Sequence, residues 1–482
     1  MTPRGGKRFR AWPAGGAGGQ DDLAVKHRHA AGIDVHAAVH FVSVASEDVP
    51  AAFVNPDAKL PAGVRKFGAY TSDLEALADW LKACGITTLA MESTGVFWIP
   101  LYDLLASRGF EVLLVDPRQT KHAPGRPKSD VLDCQWIRRL HSYGLLTASF
   151  RPADEIVRWR GFQRQREMLI RYAAQHVQHL QKMLEEMNVK LTEVVSDIVG
   201  LTGMKILKAI VAGERDPRKL ARHRHPSCKT SAEEIARALH GEWRPEHLFA
   251  LKQTLALYEF YQRQLEECES QIELCLKSFS DQSQGASLPA LPASRRNHKP
   301  GKNAVRFGAR ALMFRMAGVD LTQLEGISET TALVVLSEVG PDLSAFPTEK
   351  HFASWLGLCP QHRGSGGKIL KRRIRRGANR AARALRMAAQ GCHHAKNALG
   401  AFYRRIQSRA GGPKALVATA RKLAERVYRM LRYGADYVRQ SEQAYETAYH
   451  DRLVKSMVKS MAKKAAKLGY KLVPSPASPA SS

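Results

Sequence analysis

The sequence predicts an α/β domain, then a helical coiled coil, then a mostly α-helical C-terminal domain. Three observations carry this. Between residues 31 and 115, β-branched runs alternate with helical apolar patterns, the order of an α/β layer with helices packed on a sheet. Between residues 155 and 280, apolar residues recur in alternating steps of three and four, which makes heptad seams. Beyond residue 311 the patterns are helical and punctuated by glycines, with a helix–hairpin–helix-like element at their start.

Length and charge bound the rest. At 482 residues the chain has room for two or three domains with their own cores. Lys and Arg total 74 against 45 acids, a formal net charge of +29. That excess argues for a polyanionic partner, nucleic acid before a membrane surface. No apolar run reaches 18 residues, and residues 1–20 hold no signal-type hydrophobic segment. Seven cysteines without a CxxC pair fit a reducing compartment. The expectation is a soluble, cytoplasmic, nucleoid-associated protein with no membrane partner.

Residues 1–28, rich in Gly, Ala and Arg, read as a disordered basic tail. The α/β domain is expected over 29–150. A strand over 31–45 carries Asp34 near its start, and 51–55 is read as a second strand. A helix over 72–83 aligns Leu74, Leu77, Ala78 and Leu81, and Gly85 breaks it. Residues 86–92 form a buried strand ending in Glu92; Ser93 or Thr94 caps a helix to about 108; 111–115 is another strand, closed by Asp116 and Pro117. After a basic loop, Ser129 caps a helix whose apolar face is Val131, Leu132, Trp136, Ile137 and Leu140.

The coiled coil is expected over 151–280. One seam runs through Ile170, Ala173, Val177, Leu180, Leu184, Met187, Leu191, Val194 and Ile198, the other from Leu248 through Leu255 and Leu265 to Phe279. They flank an insertion at 200–247 and can pair as an antiparallel hairpin, within one chain or between chains. Residues 281–310 read as a basic linker, with Lys302, Arg306 and Arg310 in a nucleic-acid-contacting arm. In the C-terminal domain, over 311–470, Gly326, a capped apolar helix and Gly340 suggest a turn offering backbone N–H groups to a phosphate. Helices follow over 414–431 and 452–468, and 471–482 is a disordered tail.

Chemistry is expected in two places. Asp130 and Asp133, three apart, share one face of their helix. Like charges that close repel unless a cation lies between them, and a divalent metal is the usual solution. Catalytic groups of α/β sheets gather at strand ends, and Asp34 on the first strand with Glu92 at a later strand end would complete a four-acid site for Mg2+, two ions per site. The second place is Ser365, in the Gly-rich stretch after Arg363. Ten Lys or Arg and no acid lie between Arg363 and Arg386. Among them Arg363, Lys368, Lys371, Arg372, Arg373, Arg375, Arg376 and Arg380 are the expected nucleic-acid contacts. A hydroxyl presented among such cations suits attack on a phosphodiester.

Together these pieces resemble the DEDD-type insertion-sequence transposases, the bridge-RNA-guided recombinases of mobile elements. The resemblance rests on Gly32-Ile-Asp34-Val, Met91-Glu92-Ser-Thr-Gly95 and Lys128-Ser-Asp130-Val-Leu-Asp133 in the first part of the chain. In the last part it rests on Glu325-Gly-Ile-Ser-Glu-Thr-Thr-Ala332, Phe352-Ala-Ser-Trp-Leu-Gly-Leu-Cys-Pro360 and Ser365-Gly-Gly-Lys368. It implies an N-terminal RNase H-like (RuvC-like) domain with Asp34, Glu92, Asp130 and Asp133 as its acids. It also implies a C-terminal transposase domain with Ser365 as nucleophile. Implied partners are donor and target DNA, a structured guide RNA and further copies of the chain, as a dimer or tetramer. The long insertion and the long N-terminal tail depart from the family. Two other functions compete: a metal-dependent, junction-resolvase-like nuclease, for which Ser365 is dispensable, and a non-catalytic nucleic-acid-binding protein.

Overall fold

The computed structural model describes residues 24–52, 57–120, 129–292, 301–366, 368–374, 377, 379–471 and 473; over 361–365, 368–374 and 439–446 only the backbone is described. Two compact units result, Met1–Arg151 and Pro152–Ser482.

In the first unit, β1 (Ala30–Val35), β2 (Val39–Ser43), β3 (Val64–Gly68), β4 (Thr88–Glu92) and β5 (Glu111–Val115) form one sheet in the order β3-β2-β1-β4-β5. The pairs β1–β2 and β2–β3 are antiparallel, while β1–β4 and β4–β5 are parallel. Side chains alternate across a sheet with period two, and that alternation organises the unit. Ala31, Ile33 and Val35 of β1 join Leu89 and Met91 of β4 in a core shared with α1 (Thr71–Ala83) and α2 (Trp98–Ser107). Leu77, Leu81, Leu101 and Leu105 are fully buried there, each stabilising by roughly 1.5–3 kcal/mol. Gly32 and Asp34 therefore face the other way, toward α3 (Asp130–Ser142), which packs on β1 and β2.

The sequence reading differs here in particular ways. The single strand expected over 31–45 is a hairpin, turned at His36–Val39, where the His36 N–H donates to the Val39 carbonyl at 3.2 Å. Its turn, His-Ala-Ala, holds none of the usual turn residues. In the expected strand over 51–55, Ala51 and Ala52 are a turn and 53–55 lie outside the described residues. Edge strand β3 had no prediction. The tail expected to be disordered through 28 is tied down from Lys26: the N–H groups of Lys26 and His27 donate to the Ser142 carbonyl at 2.8 and 3.0 Å.

The second unit opens with the helical hairpin. α4 (Asp154–Glu186) pairs with α9 (Pro245–Ser278) within the chain. Trp159 meets Phe279 near one end and Glu186 meets His247 at the other, so the helices run antiparallel. The intervening α5 (Leu191–Val194), α6 (Leu201–Val211), α7 (Pro217–Ala221) and α8 (Ala232–Ala238) close around the hairpin tip, where Leu180, Leu184, Met187, Ile206, Leu207, Leu239 and Leu251 are fully buried. The helix predicted to run on to Ile198 stops at Glu186; Asn188, in a left-handed conformation at φ 53°, turns the chain while Leu191 and Ile198 still enter the same core.

Then follow α10 (Ala309–Ala317), α11 (Glu329–Val339), α12 (Glu349–Trp355), the antiparallel pair β6 (Pro360–Ser365) and β7 (Lys368–Ile374), α13 (Arg380–Gly391), α14 (Ala398–Ala410) and α15 (Gly412–Lys467), which breaks at Gly434. Two segments expected to contact nucleic acid also have partners within the fold. Arg310 bonds the buried Asp320 carboxylate, and Arg306 and Lys302 pair with Glu266 and Asp197 at 2.9 and 2.8 Å, so this part of the linker is bound into the fold. Gly326, at φ 82°, packs on α13: a Cβ there would lie 2.9 Å from Cys392 Sγ. That turn serves close helix packing. Among the described residues no helix is long and apolar enough to cross a membrane.

Candidate active site

Four acids expected to act together are brought together. The register that pairs Ile33 with Met91 sets Asp34 level with Glu92 at the carboxyl ends of neighbouring parallel strands. Ser129 caps α3, its Oγ accepting the Leu132 N–H at 3.3 Å, which places Asp130 and Asp133 in the first helical turn. That turn opens on the same strand ends. Asp34, Glu92, Asp130 and Asp133 line one cleft of about 420 Å³ with His36, Thr94, Thr120 and Trp136.

The approach of α3 to the sheet depends on Gly32. A Cβ on it would lie 2.2 Å from the Arg138 nitrogen and 2.4 Å from the Cys134 carbonyl oxygen, both backbone atoms that cannot rotate away. Glycine here lets the helix backbone lie against the strand.

Asp34 is the most enclosed of the acids, its side chain 12% exposed against 48% for Asp130. Burial above all raises its pKa; the nearby His36 works against that rise, and the charges of Glu92 and Asp133 add to it. Two residues that the sequence did not single out complete the site. His36 Nε2 lies 3.1 Å from Asp34 Oδ2 and 3.5 Å from Asp130 Oδ1. The buried Thr120 hydroxyl contacts Glu92 Oε1 and the Pro117 carbonyl oxygen, fixing the Glu92 carboxylate from the loop after β5. His36 had a signal: two residues after Asp34 on an extended chain, it shares Asp34's face. Thr120 had none, since its contact spans 28 residues. The donor set suits a hard divalent cation, with oxygen ligands predominating. Ligand atoms of Asp34, His36 and Asp130 lie within 4.8 Å of one another.

The second expected centre is in the other unit. Ser365 is the last residue of β6, paired with Lys368 across the turn, with Gly366 at φ 55°. The Gly-rich turn expected there is the tip of a hairpin, whose flanking strands had no prediction. Of Arg363, Ser365, Lys368, Lys371, Arg372 and Arg373 the backbone is described; Arg375 and Arg376 lie outside the described residues. Arg380 is engaged by Glu167 at 3.2 Å, tying α13 to α4.

Comparison with known proteins agrees with this layout. A DEDD transposase family model matches residues 31–189, which include all four acids. The model described as "Transposase IS116/IS110/IS902 family" matches 320–404, which include Ser365. A curated relative from Streptomyces coelicolor, "Insertion element IS110 uncharacterized 43.6 kDa protein", is 37% identical over 119 residues, covering 24% of this chain and 29% of that protein. With both family models matched in order and the acids of the first gathered in one cleft, the chain belongs to the IS110/IS116/IS902 transposases, with a DEDD N-terminal domain and the family's C-terminal transposase domain.

Proposed function

We propose that this protein is a DNA transposase that excises and inserts its own mobile element, cutting and rejoining DNA through a phosphoserine intermediate. The observation that carries the reading is the convergence of Asp34, Glu92, Asp130 and Asp133 on one cleft in a chain of net charge +29. Carboxylates facing a common space repel one another, and divalent cations, Mg2+ in one or two positions, offset that repulsion. Such an ion supplies positive charge against a phosphate and eases loss of a proton from an attacking hydroxyl.

The chain's own groups account for the rest. Asp34, buried at a strand end, and Glu92, clamped by Thr120, are fixed members of the site; Asp130 and Asp133 are carried by the helix start. Ser365 Oγ attacks phosphorus: an O–P bond to serine forms, the bond to the leaving DNA oxygen breaks, and that oxygen takes up a proton. Attack by a DNA hydroxyl reverses the exchange and frees the serine, so rejoining needs no outside energy. The cations between Arg363 and Arg386 hold the backbone and offset charge developing at phosphorus. A structured guide RNA pairs with donor and target, so the protein reads geometry and backbone rather than bases. A dimer or tetramer supplies the acids and the serine of one site from different subunits. The RNA and the subunit arrangement follow from the family resemblance.

The test uses the full chain, its element's flanking RNA and DNA carrying the element ends. Wild type should give a denaturant-resistant protein–DNA adduct and recombined product. Ser365→Ala should give neither, and Asp130→Asn should bind nucleic acid without cutting it. Recombination by Ser365→Ala at the wild-type rate would place the nucleophile elsewhere. Cleavage without an adduct in either protein would favour a metal-dependent nuclease.

A further inference from the structure

We infer that the imidazole of His36 is a direct nitrogen ligand of the ion held by Asp34 and Asp130, so that this part of the site takes Mn2+ in preference to Mg2+. The inference rests on the metal-dependent reading above and deepens it.

His36 is placed for this by the fold. It sits at the mouth of the β1–β2 hairpin, where its N–H bond to the Val39 carbonyl at 3.2 Å sets the turn. The edge-on Phe41 ring, 6.4 Å between centroids, stands beside the imidazole. The ring is thus held toward the acids while its side chain stays 42% exposed, open to an entering ion. Nε2 lies 3.1 Å from one Asp34 oxygen and 3.5 Å from one Asp130 oxygen. Neighbouring ligand atoms around an octahedral ion at about 2.1 Å are separated by about 3 Å. His36 Nε2 therefore already stands at nearly coordination-shell spacing from one oxygen on β1 and one on α3, and all three donor atoms lie within 4.8 Å of one another.

An ordinary surface ion pair would account for the two short distances. It would not require one imidazole nitrogen to face two of the four cleft carboxylates at once, one from the strand and one from the helix. Neutral imidazole is a common metal ligand. Mg2+ keeps a strong preference for oxygen ligands and water, whereas Mn2+, also at home among oxygens, is a first-row transition ion that accepts an imidazole beside them. One nitrogen among several oxygens is a donor set that Mn2+ accepts more readily than Mg2+.

The experiment loads the full-length, metal-free protein with Mn2+ and records pulsed electron paramagnetic resonance, alongside Mn2+ titration and Mg2+ competition. Wild type should show a 14N coupling to the bound Mn2+. His36→Ala, checked for an unchanged thermal melt, should lose that coupling and bind Mn2+ about tenfold or more weakly, with a smaller change for Mg2+. Mn2+ bound to wild type without nitrogen coupling, or a coupling that survives in His36→Ala, overturns the His36 assignment and leaves the carboxylate site standing. Failure of wild type to bind Mn2+ any better than Asp130→Asn overturns the inference and the metal-dependent reading together.

Discussion

His141 lies at the far end of the helix that carries Asp130, 2% exposed, its Nε2 3.0 Å from Thr88 Oγ1. Thr88 donates to the Glu111 carbonyl at 3.1 Å, so its hydroxyl accepts from a His141 Nε2–H. Burial pushes the imidazole pKa down to about 4 from 6.5, with His27, stacked on it at 4.8 Å, adding to the drop. The unfolded chain takes up a proton between those values that the folded chain does not. Stability should fall as pH drops from about 6.5 toward 4, by at most roughly 3 kcal/mol. Urea unfolding of the wild type should show that loss between pH 7 and 4.5, and His141→Gln should flatten it; equal pH dependence in both would remove His141 as the cause. At this scale the sequence was most legible where chemistry coincided with an element's end. Glu92 closes its strand and Asp130 and Asp133 open their helix, so pattern located them; Asp34, read near the start of a strand over 31–45, lies near the end of β1. His36 hid in an unmarked turn, and Thr120 acts through a long-range contact that no local pattern encodes.

Arg166 and Glu269 face each other across the two long helices, 2% and 5% exposed. Arg166 donates to Glu269 Oε1 at 2.8 Å and to the Asn303 carbonyl at 2.8 Å, and the Arg306 N–H reaches Glu269 Oε2 at 3.2 Å. A paired, fully bonded charge is tolerated inside; a stranded one is costly. Glu269→Leu should cost about 3–5 kcal/mol by leaving the guanidinium uncompensated. Arg166→Met together with Glu269→Leu should recover most of it in the same denaturation assay. A double variant no better than the single would mean that the bonds to the 303–306 segment, rather than the charge pair, hold the hairpin together. Heptad periodicity revealed both helices before the structure did. It overran α4 because apolar spacing reports which residues are buried, whether or not the backbone stays helical. Beyond Asn188 the buried residues belong to the tip formed by the insertion.

Over the whole chain, +29 is the property on which partner choice depends most. The end of α15 and the residues after it, 452–471, hold seven Lys or Arg and no acid. If the protein neutralises six to ten phosphates, duplex affinity should fall by about 10³–10⁵ between 50 and 200 mM salt. Asp130→Asn should leave that slope unchanged, since one carboxylate hardly alters so large a field. Binding that ignores salt would contradict an electrostatic footprint. Composition made the polyanion legible at once. It left open which cations are free, because Lys302, Arg306 and Arg380 are occupied by acids far away in sequence, and Arg310 by Asp320.

Gly32 touches no ion, donates no proton and carries no charge, yet it sets a tolerance for the whole cleft. The spacing between the strand-borne and helix-borne acids is gauged by the thickness of a missing methyl group, in the way a shim sets the gap between two plates. A mutational scan that ranks positions by polarity would pass over it. Random mutagenesis selected on activity should return Gly32 among its most intolerant positions.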